Sequence, residues 1–195
     1  METTRSHFGV DLNVIPYDRS YCVIPGRFLA GFYPSSDNPK EATQKLQRLL
    51  DVGVNHVVNL TEPVEKNWAG QFLTDYEPEL MRLASEQNLE MACHRFAIKD
   101  NNVPSIEGMK SILDNIDMAI QAGKVVYLHC WGGRGRTATV VGCYLIRHGL
   151  CVGEQTLQMI RYLRRTDAKA STDAPETEIQ KQFIRAWQIG DNHGS

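Results

Sequence analysis

The stretch Val125-Val126-Tyr127-Leu128-His129-Cys130-Trp131-Gly132-Gly133-Arg134-Gly135-Arg136-Thr137 decides how the rest of the chain is read. Its first four residues are a continuous apolar run of strand length, the pattern of a strand buried on both faces of a sheet. Its last residues open a mostly apolar helix from about Gly135 to His148, closed by Gly149. A strand that runs into a helix through a tight loop is half of a parallel β-α-β unit. Such a loop aims several backbone N–H groups into one concavity at a helix N-terminus, where the helix dipole favours negative charge. Gly132, Gly133 and Gly135 let the backbone turn there with no side chain in the way.

Each side chain of the loop then has a chemical reading. Arg136 can fork two hydrogen bonds onto a tetrahedral oxyanion. Cys130 sits at the base of the cradle, where the same positive field stabilises its thiolate. A thiolate beneath a bound phosphate is placed for in-line attack on phosphorus, giving a covalent thiophosphate. The amides of residues 131–136 and the Arg136 guanidinium would hold the equatorial oxygens. Thr137 is a candidate hydrogen-bond donor to Cys130 that makes sulfur the better leaving group. His129 is a candidate for orienting the loop and favouring the thiolate. Trp131 either forms a pocket wall or packs beside the loop. Arg134 either faces the substrate, which would favour a polyanion, or turns outward to pair with an acid.

Working outward, strands and helices alternate. Tyr21–Ile24 and Arg27–Ala30 read as two strands joined by Pro25-Gly26, and Asn55–Leu60 and Met91–Ile98 as two more. Helices are predicted before Gly53 (with Leu46, Leu49 and Leu50 on one face), over 76–87, and from Ser105 to Gly123. In the last of these, Ile106, Met109, Ile112, Leu113, Ile116 and Ile120 fall at helical spacing. Residues 61–74 read as a loop with one helical turn. Two further helices are predicted near 153–165 and 175–188, with Asp173 and Glu176 spaced as a capping box for the second. The predicted class is α/β, a central, mainly parallel but mixed sheet of about five strands flanked by helices. Residues 1–18 read as an irregular N-terminal arm and residues 19–190 as a single domain.

The bulk properties set limits. The 195 residues carry 21 basic and 23 acidic side chains, a net charge of −2 that argues against a general nucleic-acid binder. No apolar run has the length of a membrane span, and Met1-Glu2-Thr3-Thr4-Arg5 lacks the pattern of a secretory signal. The five cysteines (Cys22, Cys93, Cys130, Cys143 and Cys151) form no C-x-x-C pair, which suits a reducing, cytoplasmic setting without a disulfide framework. The six histidines are scattered. No metal and no other cofactor is expected.

The sequence His129-Cys130-Trp131-Gly132-Gly133-Arg134-Gly135-Arg136-Thr137 resembles the H-C-x5-R-[ST] hallmark of the Cys-based protein tyrosine phosphatase superfamily. The size of the chain is similar to that of the compact dual-specificity branch. The loop and the following Val140-Val141-Gly142-Cys143-Tyr144-Leu145-Ile146-Arg147-His148-Gly149 resemble a group of bacterial phosphatase-like proteins. The likeness runs from about Tyr21 to Trp187, with Ala138 where Gly is usual. The resemblance implies a general acid on a loop upstream of the cysteine. Asp100, thirty residues before Cys130, fits that place. It is also a plausible turn residue, with Asp75 and Asp114 as rivals. The resemblance also suggests that Gln180, in Pro175-Glu176-Thr177-Glu178-Ile179-Gln180, positions the hydrolytic water. Glu176 stands where classical members carry Gln, and the other reading is a capped surface helix with Phe183 and Trp187 inward.

The implied activity is hydrolysis of phosphomonoesters, on a phosphorylated protein or a small phosphate ester. Arg134 motivates an inositol-phosphate or phosphoinositide phosphatase as the second reading. A non-catalytic phosphate-binding module is the rival from another class, although such proteins usually lose the Cys, the Arg or the acid. A sulfur transferase of the rhodanese kind also cradles a cysteine, but Arg136-Thr137 and Asp100 favour phosphate chemistry. Trp68, His94 and Arg95 are candidates to flank the pocket. Arg161, Arg164 and Arg165 either complement a helix C-terminus or form a recognition patch.

Overall fold

The computed structural model describes residues 14–188. Strands β1 (Ser20–Ile24) and β2 (Phe28–Gly31) form an antiparallel pair, and β3 (His56–Asn59), β4 (Ala92–Arg95) and β5 (Val126–His129) run parallel to β2. The order across the sheet is β1-β2-β5-β3-β4, so the strand that leads to Cys130 lies at the centre. The mixed five-stranded sheet is the predicted one.

Side chains alternate across the sheet because successive residues of a strand point to opposite faces. Val126 and Leu128 of β5, Phe28 and Ala30 of β2 and Val58 of β3 enter one core. Tyr127, Leu29 and Val57 enter the other. The first core is roofed by α3 (Ile106–Gln121), α4 (Arg136–Arg147), α5 (Gly153–Leu163) and α6 (Glu178–Ala186). The second is covered by α1 (Pro39–Asp51) and α2 (Glu77–Glu86). Leu46, Leu49 and Leu50 pack inward on α1 as their spacing predicts, each burial stabilising by roughly 1.5–3 kcal/mol. Helix α4 is buried almost all round, which is why its sequence is nearly continuous in apolar residues. Among the described residues no helix is long and apolar enough to cross a membrane.

Four expectations change. Residues 61–74 hold no helical turn. They form a small hairpin closed by a Lys66–Phe72 bridge, with Leu73 N–H on the Glu65 carbonyl at 3.0 Å. The capping box of α6 is Thr177 and Gln180 rather than Asp173 and Glu176, because the helix begins at Glu178. Asp173 instead pairs with Lys181 at 3.0 Å. Ile106 is exposed at the mouth of α3 although Met109, Ile112, Leu113 and Ile116 are buried. Residues 1–13 of the predicted arm and 189–190 of the predicted domain lie outside the described residues, but Tyr17 in the arm is buried, its hydroxyl bonded to that of Tyr127. The sheet therefore recruits chain that the boundary at residue 18 assigned to the arm.

Candidate active site

Three parallel strands deliver their C-terminal connections to one place, the side of an α/β sheet where ligands bind. From β5 comes the phosphate loop. Cys130 is only 2% exposed, and the Gly133 N–H donates to its Sγ at 3.2 Å. Gly133 has φ +69°, and a Cβ built there would lie 2.6 Å from the Gly31 carbonyl carbon. Conformation and space both demand glycine, so the loop is moulded against the end of β2. Tyr33 N–H donates to the Trp131 carbonyl at 3.2 Å and Arg19 Nη2 to the Gly132 carbonyl at 3.0 Å. Gly135 caps α4 with no side-chain hydrogen bond, which leaves the first N–H groups of the helix turned toward the loop.

Behind the cysteine lies His129, fully buried. Its Nδ1 is 3.2 Å from the Cys130 carbonyl and its Nε2 is 2.6 Å from the Tyr76 hydroxyl. A carbonyl only accepts, so Nδ1 carries the proton and Nε2 accepts from Tyr76. Burial pushes the imidazole pKa down to about 3. His129 is therefore neutral at ordinary pH. A neutral ring carries no charge to lend the thiolate, and its contact with the loop is the hydrogen bond to the Cys130 carbonyl. Tyr76 was not found in the sequence, because its link to His129 spans 53 positions and carries no local pattern.

Arg136 is almost fully buried at the start of α4. It donates from Nη1 to Glu65 Oε2 at 2.6 Å and from Nη2 to Glu65 Oε1 at 2.7 Å. The Ile98 carbonyl takes a further bond from Nη1 at 3.0 Å. Burial opposes the guanidinium charge, but the Glu65 hydrogen bonds, the Cys130 sulfur and the nearby carboxylates outweigh it and hold Arg136 charged. Its Nε is buried with no partner among the described residues. Glu65 sits in the connection after β3, and the sequence offers no signal for it beyond an acid in a loop that follows a parallel strand.

Asp100, on the connection after β4, has Oδ1 3.0 Å from Arg136 Nη2, and its side chain is 48% exposed. Its rivals lie elsewhere. Asp75 accepts from the Glu77 N–H at 3.1 Å, and Asp114 pairs with Arg147. The Asp100 loop is latched from the other side. Gln180 Nε2 donates to the Asn102 carbonyl at 3.2 Å and Thr177 Oγ1 to the Asn101 carbonyl at 3.3 Å. Gln180 is buried and serves as the capping-box partner of Thr177, so α6 is a capped helix as the second reading has it, with this side chain turned inward. Its amide is engaged with Thr177 and Asn102 beside Gly135, where a built Cβ would be 3.0 Å away. Ile184 and Trp187 are buried, and Phe183 is partly so.

Thr137 departs from its expected contact, and Arg134 takes one of its two expected positions. Thr137 Oγ1 is buried and makes no hydrogen bond among the described residues, so the expected bond to Cys130 is not formed in this geometry. Arg134 pairs with Glu176, the outward reading of that residue, although it still lines a cavity beside the loop. Trp131 packs on Phe32 with ring centroids 5.0 Å apart and also lines that cavity. Arg95 is held by Glu77 at 2.9 Å and His94 stacks on His56. Burial pushes the Cys22 thiol up to about 11 and that of Cys93 up to about 12, which suits packing rather than reactivity. Among the described residues no group of three or more His, Cys, Asp and Glu side chains is placed to hold a metal.

Residues 35–150 match the family model described as "Polymorphic toxin system, DSP-PTPase phosphatase". The chain is similar to the phosphatidylglycerophosphate phosphatase PTPMT2 of Arabidopsis thaliana, 32% identical over 117 residues, which is 60% of this chain and 46% of that protein. It is also similar to protein tyrosine phosphatase domain-containing protein 1 of Mus musculus, 27% identical over 146 residues, 72% of this chain and 19% of that protein. The chain thus spans less than half the length of these curated relatives. Among solved structures it shares the fold of Tk-PTP in the active form, with a TM-score of 0.66 and 22% identity over 88% of this chain and 97% of that one.

Proposed function

The chain belongs to the DSP-PTPase phosphatase family, and from that premise we propose that it is a Cys-dependent phosphomonoesterase of the dual-specificity type. The observation that carries this reading is the convergence of Cys130, Arg136 and Asp100, with Asp100 Oδ1 3.0 Å from the guanidinium that begins the helix after the phosphate loop.

The phosphate of the substrate enters the loop, and the loop amides take its oxygens. Its negative charge competes with Asp100 for Arg136 and releases the carboxyl toward the leaving group. The Cys130 thiolate attacks phosphorus in line, the S–P bond forms, and the P–O bond to the leaving group breaks. Protonated Asp100 gives its proton to the departing oxygen. In the second step water attacks phosphorus, the Asp100 carboxylate takes a proton from it, and the S–P bond breaks to return the thiolate and free phosphate. Glu65 holds Arg136 so that the guanidinium need not reorganise as charge develops. Tyr76 and His129 hold the Cys130 carbonyl and so fix the base of the loop. A cytoplasmic setting suits a nucleophile that must remain a free thiol.

The substrates of this mechanism are phosphorylated proteins and small phosphate esters. The inositol-phosphate or phosphoinositide reading uses the same chemistry, and the cations around Arg134 favour it as the second reading. The test is steady-state turnover of p-nitrophenyl phosphate from pH 5 to 8 with EDTA present, for wild type, Cys130→Ser and Asp100→Asn. Turnover should survive EDTA and fall at least about a thousandfold in Cys130→Ser. Asp100→Asn should lose about a hundredfold together with the basic limb of the profile. Full activity in Cys130→Ser would overturn the nucleophile. An inert wild type would favour a phosphate-binding module.

A further inference from the structure

Beside the phosphate loop lies a cavity of about 290 Å3 whose walls include Arg19, Phe32, Trp68, Trp131, Arg134 and Lys169. The three cations come from separate parts of the chain, and the fold spends several interactions on bringing them together. The Ala168 N–H donates to the Asp18 carbonyl at 2.9 Å, which joins the segment of Lys169 to that of Arg19. The turn that carries Lys169 is built around buried Arg164. That guanidinium bonds Asp167 at 2.8 Å, the Lys169 carbonyl at 3.2 Å and the Thr172 carbonyl at 3.3 Å. Arg164 stands at the C-terminal end of α5, but its guanidinium is buried in this turn rather than presented at the surface. It holds the wall of the cavity in place.

Arg19 is fixed as well. Its guanidinium lies 3.8 Å from the centroid of the Phe32 ring, and its Nη2 reaches the Gly132 carbonyl within the phosphate loop. Its Nε is buried without a partner among the described residues. Among those residues no carboxylate forms an ion pair within 4.0 Å with the Arg19 guanidinium or the Lys169 ammonium (Asp167 accepts only from the Lys169 backbone N–H, at 2.7 Å), whereas Arg134 is neutralised by Glu176. Burial and the like charge of Arg134 both weaken the hold of Arg19 on its proton, while Asp167 and Asp18 oppose this from further away. A bound anion would relieve that balance. Gly132, Trp131 and Arg134 belong to the loop and to the cavity at once, so an anion there sits alongside a phosphate held over Cys130.

We propose that this cavity is a second phosphate subsite, and that the preferred substrate is a phosphomonoester bearing a second phosphate group within a few bonds of the first. The proposal rests on the phosphatase reading of Cys130 and deepens it. Arg19 and Lys169 take the second phosphate, and Trp68 and Trp131 cover the scaffold between the two groups. A soluble polyol bisphosphate and a lipid headgroup share this chemistry.

The test compares kcat/KM for myo-inositol bisphosphate with that for myo-inositol monophosphate, in wild type, Lys169→Glu and Arg19→Gln. Phosphatidylcholine vesicles carrying a phosphatidylinositol monophosphate form a further arm. Wild type should prefer the bisphosphate by about tenfold or more, and each substitution should lower that ratio by about tenfold, as expected for a lost charge-assisted contact. Faster turnover of the vesicle ester than of the soluble one assigns the second phosphate to a lipid, and the reverse assigns it to a free polyol. A wild-type ratio near one, or a ratio unmoved by both substitutions, overturns the subsite. If wild type turns over no ester, the phosphatase reading fails. The subsite is then judged by titration of the full chain with the same two inositol phosphates. Tighter bisphosphate binding that Lys169→Glu abolishes upholds the subsite, and equal binding overturns it.

Discussion

Behind Cys130, His129 is fully buried and bonded at both ring nitrogens, and Arg136 is gripped by Glu65 and two neighbouring carbonyls. In front of it, Asp100 is half exposed and its loop hangs on two long hydrogen bonds from α6. Trp68 projects on an exposed hairpin at the same rim. The inner wall is made of side chains with no freedom, held by partners distant in sequence. The rim is made of irregular connections whose side chains at Asp100 and Trp68 face solvent rather than the core. Charge stabilisation at phosphorus needs the first kind of construction, because donors that must reorganise lose most of their effect. In the proposed mechanism proton delivery and substrate choice tolerate the second kind, because Asp100 would have to leave Arg136 when phosphate arrives.

The sharpest way to break this contrast is at the inner wall. Arg136→Lys keeps the charge but loses the fork and strands Glu65 with one donor, so kcat/KM for p-nitrophenyl phosphate should fall about a thousandfold. A loss under tenfold would mean that the loop amides alone hold the transition state. Next in size is a pH effect on folding. The His129 pKa of about 3 in the folded chain lies below its ordinary value of 6.5, so the unfolded chain takes up the proton first. Its contribution to stability is complete above about pH 6.5 and declines as pH falls toward 3. Between pH 8 and 5 the wild type should lose about 2 kcal/mol more in urea unfolding than His129→Asn, which lacks the titrating ring. Equal slopes for the two proteins would show that the imidazole takes a proton without opening the wall.

The smallest effect belongs to the rim. Gln180→Ala removes the bond to Asn102 and loosens the Asp100 loop. Turnover of alkyl phosphates, whose leaving groups need the proton, should fall about tenfold. Turnover of p-nitrophenyl phosphate, whose leaving group needs that proton less, should fall by a smaller factor. An equal loss on both esters would instead favour the water-positioning role, which acts after the leaving group has gone.

What was legible in the sequence follows the same division in part. The run from Val125 to Thr137 is local, and strand, loop, cysteine and helix could be read from neighbouring residues alone. Asp100 is reached only through the family resemblance, which implies an acid upstream of the cysteine, and the structure places it against Arg136. Glu65 was not reached, because its grip on Arg136 spans 71 positions and ends in a hairpin whose sequence carries no periodic pattern. Arg134 left two readings open, and the structure pairs it with Glu176 across 42 positions. The capping box of α6 was placed four residues early because Asp173 and Glu176 have the same spacing as Thr177 and Gln180. Pattern shows which residues are able to cap or pair; only packing selects among them.

The latch from α6 also has a consequence for the order in which the molecule comes to life. The acid loop and the phosphate loop are both synthesised before the segment that tethers the first beside the second. Helix α6 follows both loops in the chain and takes hold of the acid loop through the Asn101 and Asn102 carbonyls. In the proposed mechanism, competence for hard leaving groups then depends on the docking of α6 as well as on the two loops.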